Sequence, residues 1–166
     1  THISVELYPS LCFLEPTNVS IGRGTPTPFE IAGIPRGMTP NIPVGKDALS
    51  FTPVSTPGVS PYPKHEDVVC VGENFQSRGE KWWMEGPSWD LSILETYADS
   101  FRNDENIISG FFTSKSFFDK LAGTDQLRLC LEKGEGLEAL KAVWHKDLIE
   151  FRKSRQPYLL YPIQRN

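Results

Sequence analysis

The spacing of apolar positions changes near the middle of the chain. The first residues alternate, with Ile3, Val5 and Leu7 on one face and Ser4 and Glu6 on the other, which is the period of a half-buried strand. Phe29-Glu30-Ile31-Ala32 and Leu49-Ser50-Phe51-Thr52 are short runs bounded by Pro or Gly and read as further strands. Asp67 to Val71 is the most strand-like run, β-branched and apolar, closed by Gly72. From Ser88 onward the spacing lengthens to that of a helix. Ser88 is the expected cap of a helix with Leu91, Leu94, Tyr97, Ala98 and Phe101 on its apolar face. Ser116 and Asp119 form an S-x-x-D entry to a short helix ending at Gly123. Thr124 caps the next, which carries Leu127, Cys130 and Leu131 and stops at Gly134. Leu137, Leu140, Val143, Trp144, Leu148 and Phe151 form the stripe of a last helix that ends before Pro157, and Tyr158 to Tyr161 reads as a short buried strand.

Proline sharpens this division. Eleven of the 14 prolines fall between Pro9 and Pro63, and because proline removes a donor and fixes φ, that half cannot be helical over any length. The stretch from Pro53 to Pro63 is Pro/Ser-rich but too short to link domains, so it reads as an ordered surface loop. Strands precede helices with no βαβ alternation and no internal repeat. The expected fold class is α+β, a small mixed or mostly antiparallel sheet with the C-terminal helices packed on one face. At 166 residues the chain is expected to form a single domain, 1–166, with residues 1–27 as a junction strand and polar loop.

Composition narrows the function classes. A 39% hydrophobic, 23% charged chain has a globular profile, and no apolar run approaches the roughly 18 residues that a membrane helix needs. A formal charge of −4 and a pI near 5.4 argue against non-specific nucleic-acid binding. Cys12, Cys70 and Cys130 are sparse and far apart, neither a disulfide framework nor a zinc spacing, and read as small apolar core residues. The start lacks a signal peptide's basic and apolar regions and has no initiator Met, so the chain reads as a piece of something longer.

The densest polar stretch is Glu15-Pro16-Thr17-Asn18-Val19-Ser20-Ile21-Gly22-Arg23-Gly24-Thr25. It gathers a carboxylate, an amide, three hydroxyls and a guanidinium, and suits a polyhydroxylated or anionic ligand. Arg23, set between two glycines, is placed for a bidentate carboxylate contact. The plainer reading is a polar turn in which Asn18 and Ser20 satisfy local backbone. Dinucleotide-binding spacing, a GK[ST] motif and a G-x-S-x-G elbow are all absent. His2 is terminal, His65 lies in a charged stretch expected to be solvated, and His145 is expected at an exposed or edge position. No two histidines fall at i, i+3 or i+4, so no metal site is expected. Trp82, Trp83 and Trp89 form an aromatic cluster that suits either sugar stacking or a core plug.

The polar loop carries a resemblance. "YPSLCFLEPTNVSIGRGTPTPFEIAGIP" resembles a stretch of the bacterial peptidoglycan exo-β-N-acetylmuramidases of the NamZ type, approximately YPG-x-C-x-x-EGTN-x-S-x-GRGT-x-x-PFE-x-x-GAP. Tyr8, Pro9, Cys12, Glu15, Thr17, Asn18, Ser20, Gly22, Arg23, Gly24, Thr25, Pro28, Phe29, Glu30, Gly33 and Pro35 are in step with it. "FTPVSTP", "FDKLAGTDQLR" and a final helix leading to "PYLLYP" follow in the same order. Pro16 stands where the family pattern has Gly, and the stretch after Cys70 departs from a strand that often carries a histidine there.

The resemblance implies the C-terminal domain of a two-part glycoside hydrolase whose other part is Rossmann-like. The implied activity is release of terminal N-acetylmuramic acid from the non-reducing end of peptidoglycan fragments, without a cofactor. Glu15 is then the candidate for a catalytic or substrate-orienting role. Asn18, Ser20, Arg23, Gly24 and Thr25 are the candidate substrate-binding residues, with Arg23 pairing the lactyl carboxylate. The implied partners are muropeptides or MurNAc-GlcNAc and the N-terminal domain, and the implied setting is the bacterial envelope or the exterior. The alternative is a non-catalytic module that binds peptidoglycan fragments or a partner chain.

Overall fold

The computed structural model describes residues 1–39, 47–86, 89–103, 105 and 107–161, without the side chains of 140, 142 and 143. The chain runs α1 (His2–Leu11), a 3₁₀ turn (Cys12–Leu14), β1 (Ile31–Pro35), β2 (Ala48–Phe51), β3 (Cys70–Asn74), α2 (Gln76–Glu85) and α3 (Ser92–Ser100). It continues through α4 (Lys115–Ala122), α5 (Gln126–Lys133), α6 (Leu137–Ser154) and a second 3₁₀ turn (Gln156–Tyr158). The three strands form one antiparallel sheet in the order β1-β3-β2. The domain is α+β, with strands before most of its helices, as the patterning predicts.

The first segment is a helix where alternation predicts a strand. Ile3, Leu7 and Leu11 stand at i, i+4 and i+8. The last two are fully buried, whereas Val5 is 69% exposed. Ile3 and Leu7 fit both periods while Val5 fits only the strand, and the helix wins because it buries the longer i+4 series against α2 and α3. A capping box starts it: the Thr1 hydroxyl accepts from Ser4 N at 3.1 Å while the Ser4 side chain reaches back to the Thr1 backbone. Pro9 sits in the last turns, where its missing N–H costs one helical bond.

The central strand β3 also begins later than its sequence suggests. Its midpoint is Gly72, paired with Gly33 of β1, and a Cβ at Gly72 would overlap the Ala32 carbonyl. The glycine therefore permits close approach of two strands rather than ending one. The helix α2 that follows has no counterpart in the sequence reading. Its Gly79 lets α1 approach so closely that a Cβ would lie 2.6 Å from an Ile3 methyl.

The C-terminal helices follow their predicted order with shifted starts. Ser88 lies outside the described residues, and the helix it was to cap begins at Ser92, whose N–H donates to Asp90 Oδ1 at 2.8 Å. The cap of α4 is Ser114 rather than Ser116, accepting from Phe117 N at 3.3 Å. Gly123 and Gly134 end α4 and α5 in the left-handed conformation. Arg128 ties these two helices, donating to both Asp119 oxygens at 2.8 and 3.0 Å and to Glu132 at 3.0 Å. The expected buried strand at Tyr158–Tyr161 is not formed. A 3₁₀ turn occupies its start, and Tyr158, Leu160 and Tyr161 are all more than 80% exposed. Of the expected stripe on α6, Leu140 and Val143 lie outside the described side chains.

The core joins α1, the 3₁₀ turn, β1 and α3 through Leu7, Leu11, Leu14, Ile34, Leu94 and Tyr97, and reaches α4 and α5 through Phe118, Leu127 and Leu131. Tyr97 is 1% exposed and donates its hydroxyl to the Ala32 carbonyl at 2.7 Å, so its one polar atom is satisfied where helix meets sheet. Cys12, Cys70 and Cys130 are free and buried. Burial pushes the Cys12 and Cys70 thiols up to about 11, which suits core packing and not nucleophilic chemistry. Among the described residues, no helix is long and apolar enough to cross a membrane.

Candidate functional site

The polar loop is stitched down along its whole length. The Glu15 N–H closes the first 3₁₀ turn on the Cys12 carbonyl at 3.0 Å. Pro16 is buried, and its carbonyl accepts from Thr113 and Ser114 N–H at 2.9 and 3.3 Å. Asn18 N–H donates to the Phe111 carbonyl at 2.7 Å, and its Nδ2 to the Gly110 carbonyl at 2.5 Å. Ser20 exchanges both backbone bonds with Gly33, at 2.8 and 2.9 Å, so the loop runs beside β1 as a short extra edge. The Ser20 side chain is 2% exposed and accepts from Gly22 N at 3.4 Å. Thr25 donates its hydroxyl to the Gly22 carbonyl at 2.7 Å.

Lys64 is the residue that organises this loop, and the sequence reading passed over it. Its ammonium donates to the carbonyls of Glu15, Thr17 and Val19, at 3.0 Å for the first and last. The turn that leaves the 3₁₀ segment brings these three carbonyls around one ammonium, and three N–H donors meet three acceptors. Burial pushes the ammonium down to about 8, and the nearby Glu15 carboxylate works against that shift. Next to it His65 is half-buried rather than solvated, with Nε2 2.8 Å from the Asn18 carbonyl. A carbonyl only accepts, so Nε2 carries the proton. Burial pulls the His65 imidazole below its ordinary value, the Asn18 carbonyl opposes that, and the Lys64 charge adds to it. His65 holds φ at 60°, an uncommon value for a side chain of this size.

Above this clamp stands the exposed chemistry. Arg23 Nη2 lies 3.4 Å from Glu15 Oε2, and the Arg23 guanidinium sits 5.1 Å over the Phe29 ring, which in turn meets Tyr8 at 4.9 Å. Gly22 and Gly24 on either side of Arg23 have φ of 77° and 80°. A Cβ at Gly24 would lie 2.6 Å from the Val54 carbonyl and 2.8 Å from Pro63, so the Pro/Ser-rich loop packs directly against the turn that raises Arg23. Phe29 itself has φ of 61°, a second strained residue beside the pair. The result is a carboxylate, a half-exposed guanidinium and two aromatic faces on one rigid surface.

The six candidate residues therefore fall into two groups. Glu15 and Arg23 meet, and Asn18 stands nearby at the lip of a hollow of about 300 Å³ shared with Arg102 and Ser109. Ser20, Gly24 and Thr25 spend their groups on the loop itself. The sequence reading did not place Lys64, His65, Tyr8 or Phe29 at the site. Tyr8 and Phe29 were legible as family-matching aromatics, while nothing local marks Lys64, whose partners lie more than 40 residues away. Among the described residues, no three His, Cys, Asp or Glu side chains gather into a metal site.

Residues 6–161 match the family described as Exo-beta-N-acetylmuramidase NamZ, C-terminal. The chain belongs to this family. As a NamZ C-terminal domain it is 32% identical over 162 residues to the Peptidoglycan beta-N-acetylmuramidase NamZ of Bacillus subtilis, a match covering 95% of the chain and 37% of that protein. It is also similar to the crystal structure of a DUF1343 family protein from Bacteroides fragilis, with a TM-score of 0.72 and 36% identity, covering 95% of this chain and 40% of that one. The chain thus spans about two fifths of the length of these relatives. The matched span holds the whole polar loop and the Lys64 clamp.

Proposed function

We propose that this chain is the substrate-orienting part of a glycoside hydrolase that releases terminal N-acetylmuramic acid from the non-reducing end of peptidoglycan fragments. The observation that carries the reading is the Glu15–Arg23 pair, held on a glycine-flanked turn over the Phe29 ring, within the span that matches the NamZ C-terminal family. Muramic acid differs from glucosamine by a lactyl carboxylate, and an exposed guanidinium is the side chain that reads a carboxylate in two places at once. The modest 3.4 Å contact with Glu15 leaves Arg23 able to turn to that group. Tyr8 and Phe29 offer ring faces to the sugar, and Asn18 offers an amide to a hydroxyl or the acetamido group.

Glycoside hydrolysis ordinarily uses two carboxyl groups flanking the bond. Glu15 serves as one of them or as an orienting group, and Ser20, Gly24 and Thr25 shape the turn around it. The second comes from a Rossmann-like domain of the same protein, and the cleft lies between the two. Phe151, Tyr158, Leu160 and Tyr161, each more than half exposed, supply apolar surface of the kind on which such a domain docks. The setting that fits this substrate is the bacterial envelope or the exterior.

The test is hydrolysis of MurNAc-GlcNAc by the full-length protein and by its Glu15→Gln variant. The expected result is turnover by the parent and a loss of 10²-fold or more in the variant. Equal turnover would remove Glu15 from the chemistry. No turnover by the full-length parent, with muropeptides still bound, would instead favour the non-catalytic binding module.

A further inference from the structure

Away from the polar loop, a groove of about 630 Å³ lies between α3 and α6. Trp89 and Trp144 stand at its wall, nearly parallel at 21° with ring centroids 5.7 Å apart. Leu137 and Leu148 line it, with Glu95 and His145 beside them. Trp89 is held in place: its Nε1 donates to the Pro9 carbonyl at 3.0 Å, and Phe13 meets it at 6.3 Å. Its polar atom is thus satisfied internally while half of the side chain remains exposed. The other two tryptophans of the sequence cluster are placed differently. Trp82 is a core plug, and Trp83 lies exposed against His2.

We infer that this groove is an accessory saccharide site for a neutral amino sugar, the N-acetylglucosamine units of the glycan. The inference rests on the peptidoglycan reading for its source of sugar, and on the groove for its chemistry. The volume falls within the range of small-ligand sites, and fixed indole faces are the surfaces on which pyranose C–H groups stack. The Glu95 carboxylate has one oxygen anchored by Leu137 N–H at 3.3 Å, which aims the side chain into the groove as an acceptor for sugar hydroxyls. Charge selects which sugar. Asp90, Glu95 and Glu138 line the groove with the cation Lys141; Lys141 is paired to Glu138 at 2.5 Å and Asp90 to Arg78 at 3.0 Å, so the excess negative charge of the lining rests on Glu95. An acidic rim disfavours the lactyl carboxylate and admits the uncharged unit beside it. The two sites thus divide the alternating glycan by charge, with Arg23 taking the acidic sugar and the groove taking the neutral one.

The test is titration of the purified chain with N,N′,N″-triacetylchitotriose, followed by calorimetry and by indole N–H shifts in NMR. Saturable binding in the millimolar range or tighter is expected, with the Trp144 indole responding. Trp144→Ala, checked for folding by circular dichroism, lowers affinity about tenfold or more, Trp144→Phe retains much of it, and Arg23→Ala leaves it unchanged. Absence of saturable binding overturns the inference, as does equal affinity in a folded Trp144→Ala chain or loss of binding in Arg23→Ala. The outcome is separable from the proposed activity. Hydrolysis by the full-length protein without chitotriose binding removes the groove alone. Binding without hydrolysis retains the groove and removes the muramidase reading.

Discussion

The polar loop and the Trp89–Trp144 groove are built on opposite principles. The loop 15–25 is fastened by hydrogen bonds along its length. Backbone carbonyls at residues 15, 17 and 19 are consumed by one ammonium, side chains at 20 and 25 by the turn, and two glycines by left-handed φ. The groove is open, half-exposed, and formed by a helix, α6, whose described side chains are mostly at the surface. Preorganisation is therefore concentrated at the loop, where the backbone that carries the guanidinium and the carboxylate is held in place, and not at the groove, where stacking tolerates small displacements. The difference predicts that substitutions at the residues that fasten the loop, Gly24 and Lys64, act on folding, and that those at the groove act on binding.

The sharpest way to break this contrast is Gly24→Ala. A Cβ there meets the Val54 carbonyl and Pro63 in a left-handed residue, so urea denaturation should show a loss of roughly 3 kcal/mol. A loss under about 1 kcal/mol would mean that the loop is not rigid. Lys64→Met leaves three carbonyls without their shared donor, and a loss of about 2 kcal/mol is expected, moderated by the relief of burying a charge.

The same lysine gives a pH signature. Its folded value near 8 lies below its ordinary 10.5, so between them the unfolded chain binds more protons and the Lys64 contribution to stability rises with pH. The stability of the parent relative to Lys64→Met should increase across that window. A constant difference would remove the burial argument.

Glu30 supplies the acid limb. It is 1% exposed and accepts from Thr1, from Ser4 at 2.7 Å and from Gln76 at 2.6 Å, tying α1 to α2. Burial raises its carboxyl, but the hydrogen bonds from Thr1, Gln76 and Ser4 outweigh it and hold the group below its ordinary 4.5. A depressed carboxyl contributes stability that is present above pH 4.5 and lost as pH falls through the folded value. Glu30→Gln should therefore cost about 1–2 kcal/mol at neutral pH and flatten the acid limb, measured by urea midpoints from pH 7 to 3.

The smallest effect belongs to the groove. Trp144→Ala should change stability by no more than about 1 kcal/mol, because its ring is part-exposed at the edge of the core. A loss as large as that of Gly24→Ala would make the groove a structural element and end the contrast.

Much of the second half was legible in sequence. Leu127, Cys130 and Leu131 share a buried face of α5 as their spacing predicts, and Gly123 and Gly134 stop their helices where glycine's freedom allows. Local periodicity suffices there because each helix buries one face on its neighbour. The first half was less legible. Ile3 and Leu7 fit two periods, and only the presence of α2 and α3 beside Leu7 and Leu11 decides for a helix, which leaves Val5 exposed. Gly72 reads as a strand end until a second glycine, Gly33, is seen across from it. At the site, the Glu15 and Arg23 chemistry was visible in the loop's composition and family pattern, whereas the Lys64 clamp was not.

The sequence by itself determined the fold class, the buried role of the three cysteines and the identity of the loop that carries the carboxylate and guanidinium. These are properties of local composition and period, and they need no knowledge of distant residues. Tertiary structure decided that Lys64 and His65 fasten that loop, that Trp89 meets Trp144 across more than 50 residues, and that Tyr158 to Tyr161 lies exposed rather than paired. A lysine's partners, a ring's stacking face and a strand's neighbour are set by which segments meet, and the energy that brings them together comes from the burial of Leu7, Leu94, Tyr97 and Phe118 elsewhere in the fold.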